Sequence, residues 1–117
     1  MSIWTQQEAI DLCIKLERIA PAFGAHVALT GGLLYKAGQR KDCDILIYRI
    51  RQVEAIDVEG LFAAVKSIGV IQTGGRGWCY KAEFEGKPID FFFPEDDGEY
   101  DGFDAAAHEA EMLDFIA

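Results

Sequence analysis

The chain has 117 residues, half of them apolar, and a formal net charge of −9. That length fits one domain, and that apolar content fills a core without staples, which excludes a wholly disordered chain. The acidic balance also disfavours direct nucleic-acid binding by charge alone.

Thr5-Gln6-Gln7-Glu8 is a capping box and opens a predicted helix. Its broad apolar face carries Ala9, Ile10, Cys13, Ile14, Leu16 and Ala20, and Pro21 with Gly24 closes it. Residues 25–30 read as a short, mostly buried strand. Gly31-Gly32 breaks that strand, and Leu33 to Ala37 can form a turn or two of helix before a polar loop, Gly38 to Lys41.

Asp42 to Arg51 is the next predicted strand. Cys43, Ile45, Ile47 and Arg49 point one way; Asp42, Asp44, Leu46, Tyr48 and Ile50 point the other. Asp57 caps a helix with Leu61, Phe62, Val65 and Ile68 on one face, stopped by Gly69. Val70 to Thr73 reads as a short strand and Gly74-Gly75-Arg76-Gly77 as a flexible connection. Trp78, Tyr80, Ala82 and Phe84 then alternate with polar neighbours at period two, and Glu85-Gly86-Lys87-Pro88 turns the chain into Ile89 to Phe93, giving a hairpin.

Pro94 to Gly102 is an acidic loop, and Asp104 caps a last predicted helix with His108, Met112, Phe115 and Ile116 on one face. The order predicts an α+β fold: a mixed β-sheet with flanking helices, in one domain over 1–117, with the acidic loop and terminal helix at 94–117. From Glu83 onward there are 12 acids and one base, Lys87, against 8 acids and 10 bases before it. A phosphate site, if the chain has one, is therefore expected in the first part, or else metal must mediate.

Cys13, Cys43 and Cys79 form no Cys-x-x-Cys pair, and no basic, apolar leader or membrane-length apolar run is present. The expectation is a reduced, cytoplasmic protein with no membrane association.

Two features carry chemistry. Asp42 and Asp44 are two apart on a predicted strand, so both side chains leave one face roughly 7 Å apart. Asp90 interrupts an apolar strand, Ile89-Asp90-Phe91-Phe92-Phe93, where a carboxylate costs free energy unless it is solvated, paired or metal-bound. Three converging carboxylates suit a hard cation such as Mg2+ or Mn2+. An Asp-x-Asp at a strand start also serves as a solvated turn, and Asp90 can simply face solvent. Gly31-Gly32 follows an apolar strand where backbone amides can approach a phosphate, or where a tight turn is needed. Lys36, Arg40 and Lys41 cluster in the linking loop and can neutralise phosphate or remain solvated. His26, His108, Cys43, Trp78 and Tyr80 read more simply as structural residues.

The stretch Ala28-Leu29-Thr30-Gly31-Gly32-Leu33-Leu34-Tyr35-Lys36 with Arg40-Lys41-Asp42-Cys43-Asp44-Ile45-Leu46-Ile47 resembles the signature of the DNA polymerase beta-type nucleotidyltransferase superfamily. Ile89-Asp90-Phe91 fills the slot of that signature's third aspartate, so the resemblance spans roughly residues 5 to 93. The short interval from Gly-Gly to Asp-x-Asp is similar to CCA-adding enzymes, lincosamide and aminoglycoside transferases, and abortive-infection and toxin–antitoxin transferases.

The resemblance implies a metal-dependent transfer of a nucleotide monophosphate from a nucleoside triphosphate to a hydroxyl on a protein or small molecule. Asp42, Asp44 and Asp90 would bind metal, and Asp90 would also deprotonate the acceptor. Gly31, Gly32, Lys36, Arg40 and Lys41 would hold the nucleotide. Leu33 stands where many members carry a hydroxyl, and no helical domain follows. A protein partner or a second copy would then complete the acceptor site. Two alternatives stay open: a catalytically inactive binding or inhibitor protein that docks its acidic last third, Glu83 to Ala117, on a basic surface, and the transferase half of a toxin–antitoxin pair.

Overall fold

The computed structural model describes residues 3–35 and 38–95. The expected acidic loop beyond Glu95, the terminal helix with His108, and Lys36 lie outside these residues. A two-residue strand β1 (Trp4–Thr5) leads into helix α1 (Gln6–Ile19). The capping box forms as expected: the Thr5 hydroxyl accepts from the Glu8 amide, and the Glu8 carboxylate accepts from the Thr5 amide. A 3₁₀ turn over Ala20–Phe23 follows, then β2 (Ala25–Thr30), a single helical turn α2 (Gly32–Tyr35), β3 (Gln39–Arg40) and β4 (Cys43–Arg49). Helix α3 (Val58–Val65) is capped by the Asp57 carboxylate, which accepts from the Gly60 amide. A 3₁₀ turn over Lys66–Ile68 precedes β5 (Val70–Arg76), β6 (Cys79–Phe84) and β7 (Lys87–Phe92).

Five strands form one mixed sheet in the order β2-β4-β7-β6-β5. Only the β4–β7 pairing is parallel; the other three are antiparallel. β1 and β3 pair separately as a short antiparallel ribbon, so part of the segment expected as a polar loop is paired. β5 runs three residues beyond the expected strand end. A bulge between Gln72 and Gly74 absorbs the glycines and lets Gly74, Gly75 and Arg76 stay paired with β6.

Both long helices cover one face of the sheet. Alternation along β4 buries Cys43, Ile45 and Ile47, and along β7 it buries Ile89 and Phe91. Leu16 and Ala20 of the first helical segment and Leu61, Phe62 and Val65 of α3 close over them. Phe62 is the centre of this packing, with its ring 5.1 Å from Tyr80, 5.8 Å from Phe91 and 6.1 Å from Phe93. Each such buried side chain contributes about 1.5–3 kcal/mol by leaving water.

The buried stripe of α1 is Ala9, Leu12 and Leu16. Ile10 and Ile14, expected on the core face, lie on its exposed flank beside β2, 38% and 49% exposed. The helix is rotated toward Leu12 because the sheet edge, ending at β2, leaves the flanking isoleucines nothing to cover. Cys43 is in the core as expected, and Leu61, Phe62 and Val65 of α3 face it.

Lys87 ties the start of β7 to the start of α1. Its nearly buried ammonium pairs with the Glu8 carboxylate and lies 4.9 Å from the centre of the Trp4 ring. The Trp4 indole donates to the Pro88 carbonyl at 2.6 Å. Among the described residues no helix is long and apolar enough to cross a membrane.

Candidate functional site

The opposite face of the sheet has no helix of the described residues over it, and register lines up a row of polar side chains across four strands. Thr30 of β2 is opposite Asp44 of β4, Asp44 is opposite Asp90 of β7, and Asp90 is opposite Lys81 of β6. Neighbouring strands lie roughly 4.8 Å apart, so this row brings a hydroxyl, two carboxylates and an ammonium side by side. One row further along, Ala28, Leu46, Phe92 and Cys79 are aligned in the same way.

Asp44 and Asp90 are thus brought together from strands far apart in sequence. Asp42 lies just before β4 and is exposed. It is near enough to act on Asp44 through its charge. The Asp44 carboxyl is pushed above the ordinary carboxylate range, first by desolvation, then by the Asp90 and Asp42 charges, with Lys81 partly offsetting them. Lys81 donates to Asp90 Oδ1 at 2.8 Å, and this bond raises the Lys81 pKa. The Lys81 side chain is 56% exposed and that of Asp90 only 18%.

Gly31 makes room for this arrangement. Its φ is +72°, in the left-handed region, and a Cβ there would sit 2.3 Å from the Asp44 Oδ2. A Cβ on Gly32 would meet the Arg40 Nε at 2.6 Å, so the guanidinium stem of Arg40 lies against the second glycine. The Gly-Gly pair therefore lets one carboxylate and one cation approach the backbone at the end of β2. α2 that follows is only one turn long, closed by the Leu34 amide donating to the Gly31 carbonyl at 3.1 Å. Arg40 and Lys41 are both exposed on the approach to β4.

Beside the carboxylates an open cleft of about 410 Å³ is lined by Thr30, Gly31, Asp44, Leu46, Trp78, Phe92 and Pro94. Trp78 stacks on Phe92 with ring centres 5.8 Å apart, yet remains 52% exposed. Trp78 was expected to share a face with Tyr80. The turn at Gly77 and Trp78 instead re-aims the indole to the open face, while Tyr80 packs on Phe62 and Phe93.

The donors available to a cation are hard oxygens, and the negative charge around Asp44 is only partly compensated. Asp44 and Asp90 on adjacent strands fit a hard divalent ion in chemistry and in placement. The third carboxylate is less well placed. Among the described residues no three His, Cys, Asp or Glu side chains converge as a cage for a metal ion. The thiols offer no competing chemistry: all three are free, and burial pushes Cys13 up to about 11 and Cys43 higher still. His26 is hydrogen-bonded to Glu17 at 2.6 Å and stacks near Tyr48, four residues along β2 from Thr30, in keeping with a structural role.

Lys81 and Trp78 were not singled out as site residues from sequence. For Lys81 a signal existed. Glu85 and Gly86 form a two-residue turn, both with positive φ, which pairs Phe84 with Lys87 and so, counting outward, Lys81 with Asp90.

No known protein-family pattern and no curated protein matches the chain. Its fold does match solved structures. One is the polymerase beta of Leishmania infantum in a ternary complex, with a TM-score of 0.62 over 79% of this chain at 10% identity. The chain corresponds to 43% of the length of that structure. At such identity the likeness speaks for the fold alone, which is α+β and nucleotidyltransferase-like.

Proposed function

We propose that the chain is a metal-dependent nucleotidyltransferase that moves a nucleotide monophosphate from a nucleoside triphosphate to a hydroxyl on a protein or small molecule, with pyrophosphate as the leaving group. The observation that carries this reading is the side-by-side placement of Asp44 on β4 and Asp90 on β7, next to the end of β2 where the chain turns at Gly31-Gly32. Asp44 and Asp90 hold the cation in this reading, with Asp42 at the edge of the site. Magnesium or manganese, when bound, neutralises phosphate charge and favours ionisation of the attacking hydroxyl.

The chain's own groups do the rest. Gly31 and Gly32 bring backbone amides close to phosphate oxygens, and Arg40 and Lys41 supply positive charge at that end. Asp90 accepts the proton of the acceptor hydroxyl at a carboxylate oxygen. Phosphoryl chemistry of this kind depends mainly on positioning and electrostatics, and a rigid sheet suits that task. In this reading a partner protein or a second copy completes the acceptor site.

A labelled-triphosphate transfer assay with magnesium tests the reading. Wild type is expected to transfer label, and Asp42→Asn with Asp44→Asn to lose at least a hundredfold of it. Equal signal from both proteins removes the enzymatic assignment.

One observation favours a second reading, a catalytically silent binding protein on the same fold: Asp90 already has a cationic partner in Lys81. Under that reading no label is transferred by either protein, and a basic partner binds in a salt-sensitive way that Asp44→Asn leaves unchanged.

A further inference from the structure

The row Thr30–Asp44–Asp90–Lys81 ends in a cation, and that cation bears on all three carboxylates. Lys81 is bonded to Asp90 at 2.8 Å, lies two strands from Asp44, and is within electrostatic reach of Asp42. Two carboxylates on adjacent strands repel each other at roughly 5 Å unless positive charge intervenes. The two partners differ in freedom. Asp90 is held on a central strand between β4 and β6 with its side chain mostly covered, whereas Lys81 is more than half exposed on a long flexible stem. If the pair separates, the lysine is the member that moves.

A divalent cation and the Lys81 ammonium make the same demand on Asp90, since both need its oxygens. The released ammonium remains on the open face beside the cleft, where a triphosphate brings anionic oxygens. We infer that Lys81 is the resident counter-cation of the site: it holds Asp90 until a divalent cation displaces it, and then turns to the phosphates of the incoming nucleotide. This inference rests on the metal-dependent reading above and adds a positioning residue to it.

The inference makes one substitution act with opposite signs on two binding events, which a merely structural lysine does not. Lys81→Met removes the competitor, so manganese alone, followed by the electron paramagnetic resonance signal of the free ion, binds about tenfold more tightly than to wild type. The same variant binds the manganese complex of a non-hydrolysable triphosphate several-fold more weakly, because a phosphate partner is gone. In an Asp90→Asn background Lys81→Met no longer alters manganese affinity. Lys81 is exposed and the variant is expected to fold; Lys81→Gln serves as a second measure of the same effect, with thermal unfolding as the control.

Equal or weaker manganese binding by both lysine variants overturns the role of Lys81 while leaving the metal site standing. So does an unchanged affinity for the metal–triphosphate complex. If Asp44→Asn with Asp90→Asn binds manganese as well as wild type does, the metal reading fails and the role of Lys81 falls with it.

Discussion

The two faces of the sheet are built from the same strands and obey opposite rules. On the covered face Ile47 and Phe91 meet Phe62 and Leu16, and Ile45 and Ile89 belong to the same buried apolar cluster. On the open face the alternate residues of β4 and β7 are Asp44, Leu46, Asp90 and Phe92, in a row of charge followed by a row of carbon. Alternation places both sets without choosing between them. What differs is what lies opposite: helices on one side, and on the other Lys81, Trp78 and the glycine-lined end of β2. Apolar packing is therefore concentrated on one face and charge on the other, so substitutions on the two faces should have separable effects.

The largest expected effect falls on the covered face. Phe91→Ala should cost about 3–5 kcal/mol in unfolding free energy, measured by urea denaturation. Its mirror neighbour Phe92→Ala, on the open face, should cost distinctly less and relieve the stacking on Trp78. Similar costs for both would break the division between faces.

Gly31→Ala is next. The left-handed backbone and the collision with Asp44 should cost about 1–3 kcal/mol and displace the carboxylate, so manganese binding should fall even at temperatures where the protein remains folded. A fully stable variant with unchanged binding would mean that Asp44 has more room than its contacts imply.

Smaller, and of the opposite sign, is Asp44→Asn. Ionised Asp44 is disfavoured by desolvation and by Asp90 and Asp42, so removing its charge should raise the melting temperature. Asp44 is only partly buried, so screening reduces the gain to roughly a few tenths of a kcal/mol and about 1–3 °C. A gain in stability paired with loss of transfer would mark the open face as placed for function at the expense of the fold.

The smallest effect is confined to acid. Glu8 is held at about 2, chiefly by its bond to Lys87. An acid held low stabilises the folded state above its ordinary value of 4.5, and that contribution fades as pH falls through about 2. Glu8→Gln should therefore lower the melting temperature slightly at neutral pH, and the gap to wild type should close between about pH 4.5 and 2.

Much of this division was legible in the residues themselves. Thr5 and Asp57 announced their helices because a cap is a local event, settled within three residues. The period-two pattern of β4 separated Cys43 from Asp44 correctly. Asp90 stood out because a carboxylate within an apolar strand needs a reason. What escaped depended on distant neighbours. Ile10 and Ile14 have the same apolarity as Leu12, and only the position of the sheet edge decides which of them is buried. Gly74 and Gly75 read as a loose connection, but a bulge keeps them paired to β6. Trp78 follows the alternation of β6 in sequence, but the turn at Gly77 sends it to the other face. The expected terminal helix and Lys36 fall outside the described residues.

The position of β7 has a consequence for synthesis. Among the described residues it is the last strand of the sheet in chain order, yet it enters at the centre, between β4 and β6. A ribosome-bound chain that has not yet emerged past Phe92 holds β2 with β4 on one side and β5 with β6 on the other, each with a raw inner edge open to unwanted pairing. Insertion of this final piece joins the halves and sets the second carboxylate beside the first in the same event. The nascent molecule thus cannot bring Asp44 and Asp90 side by side before β7 has joined the sheet.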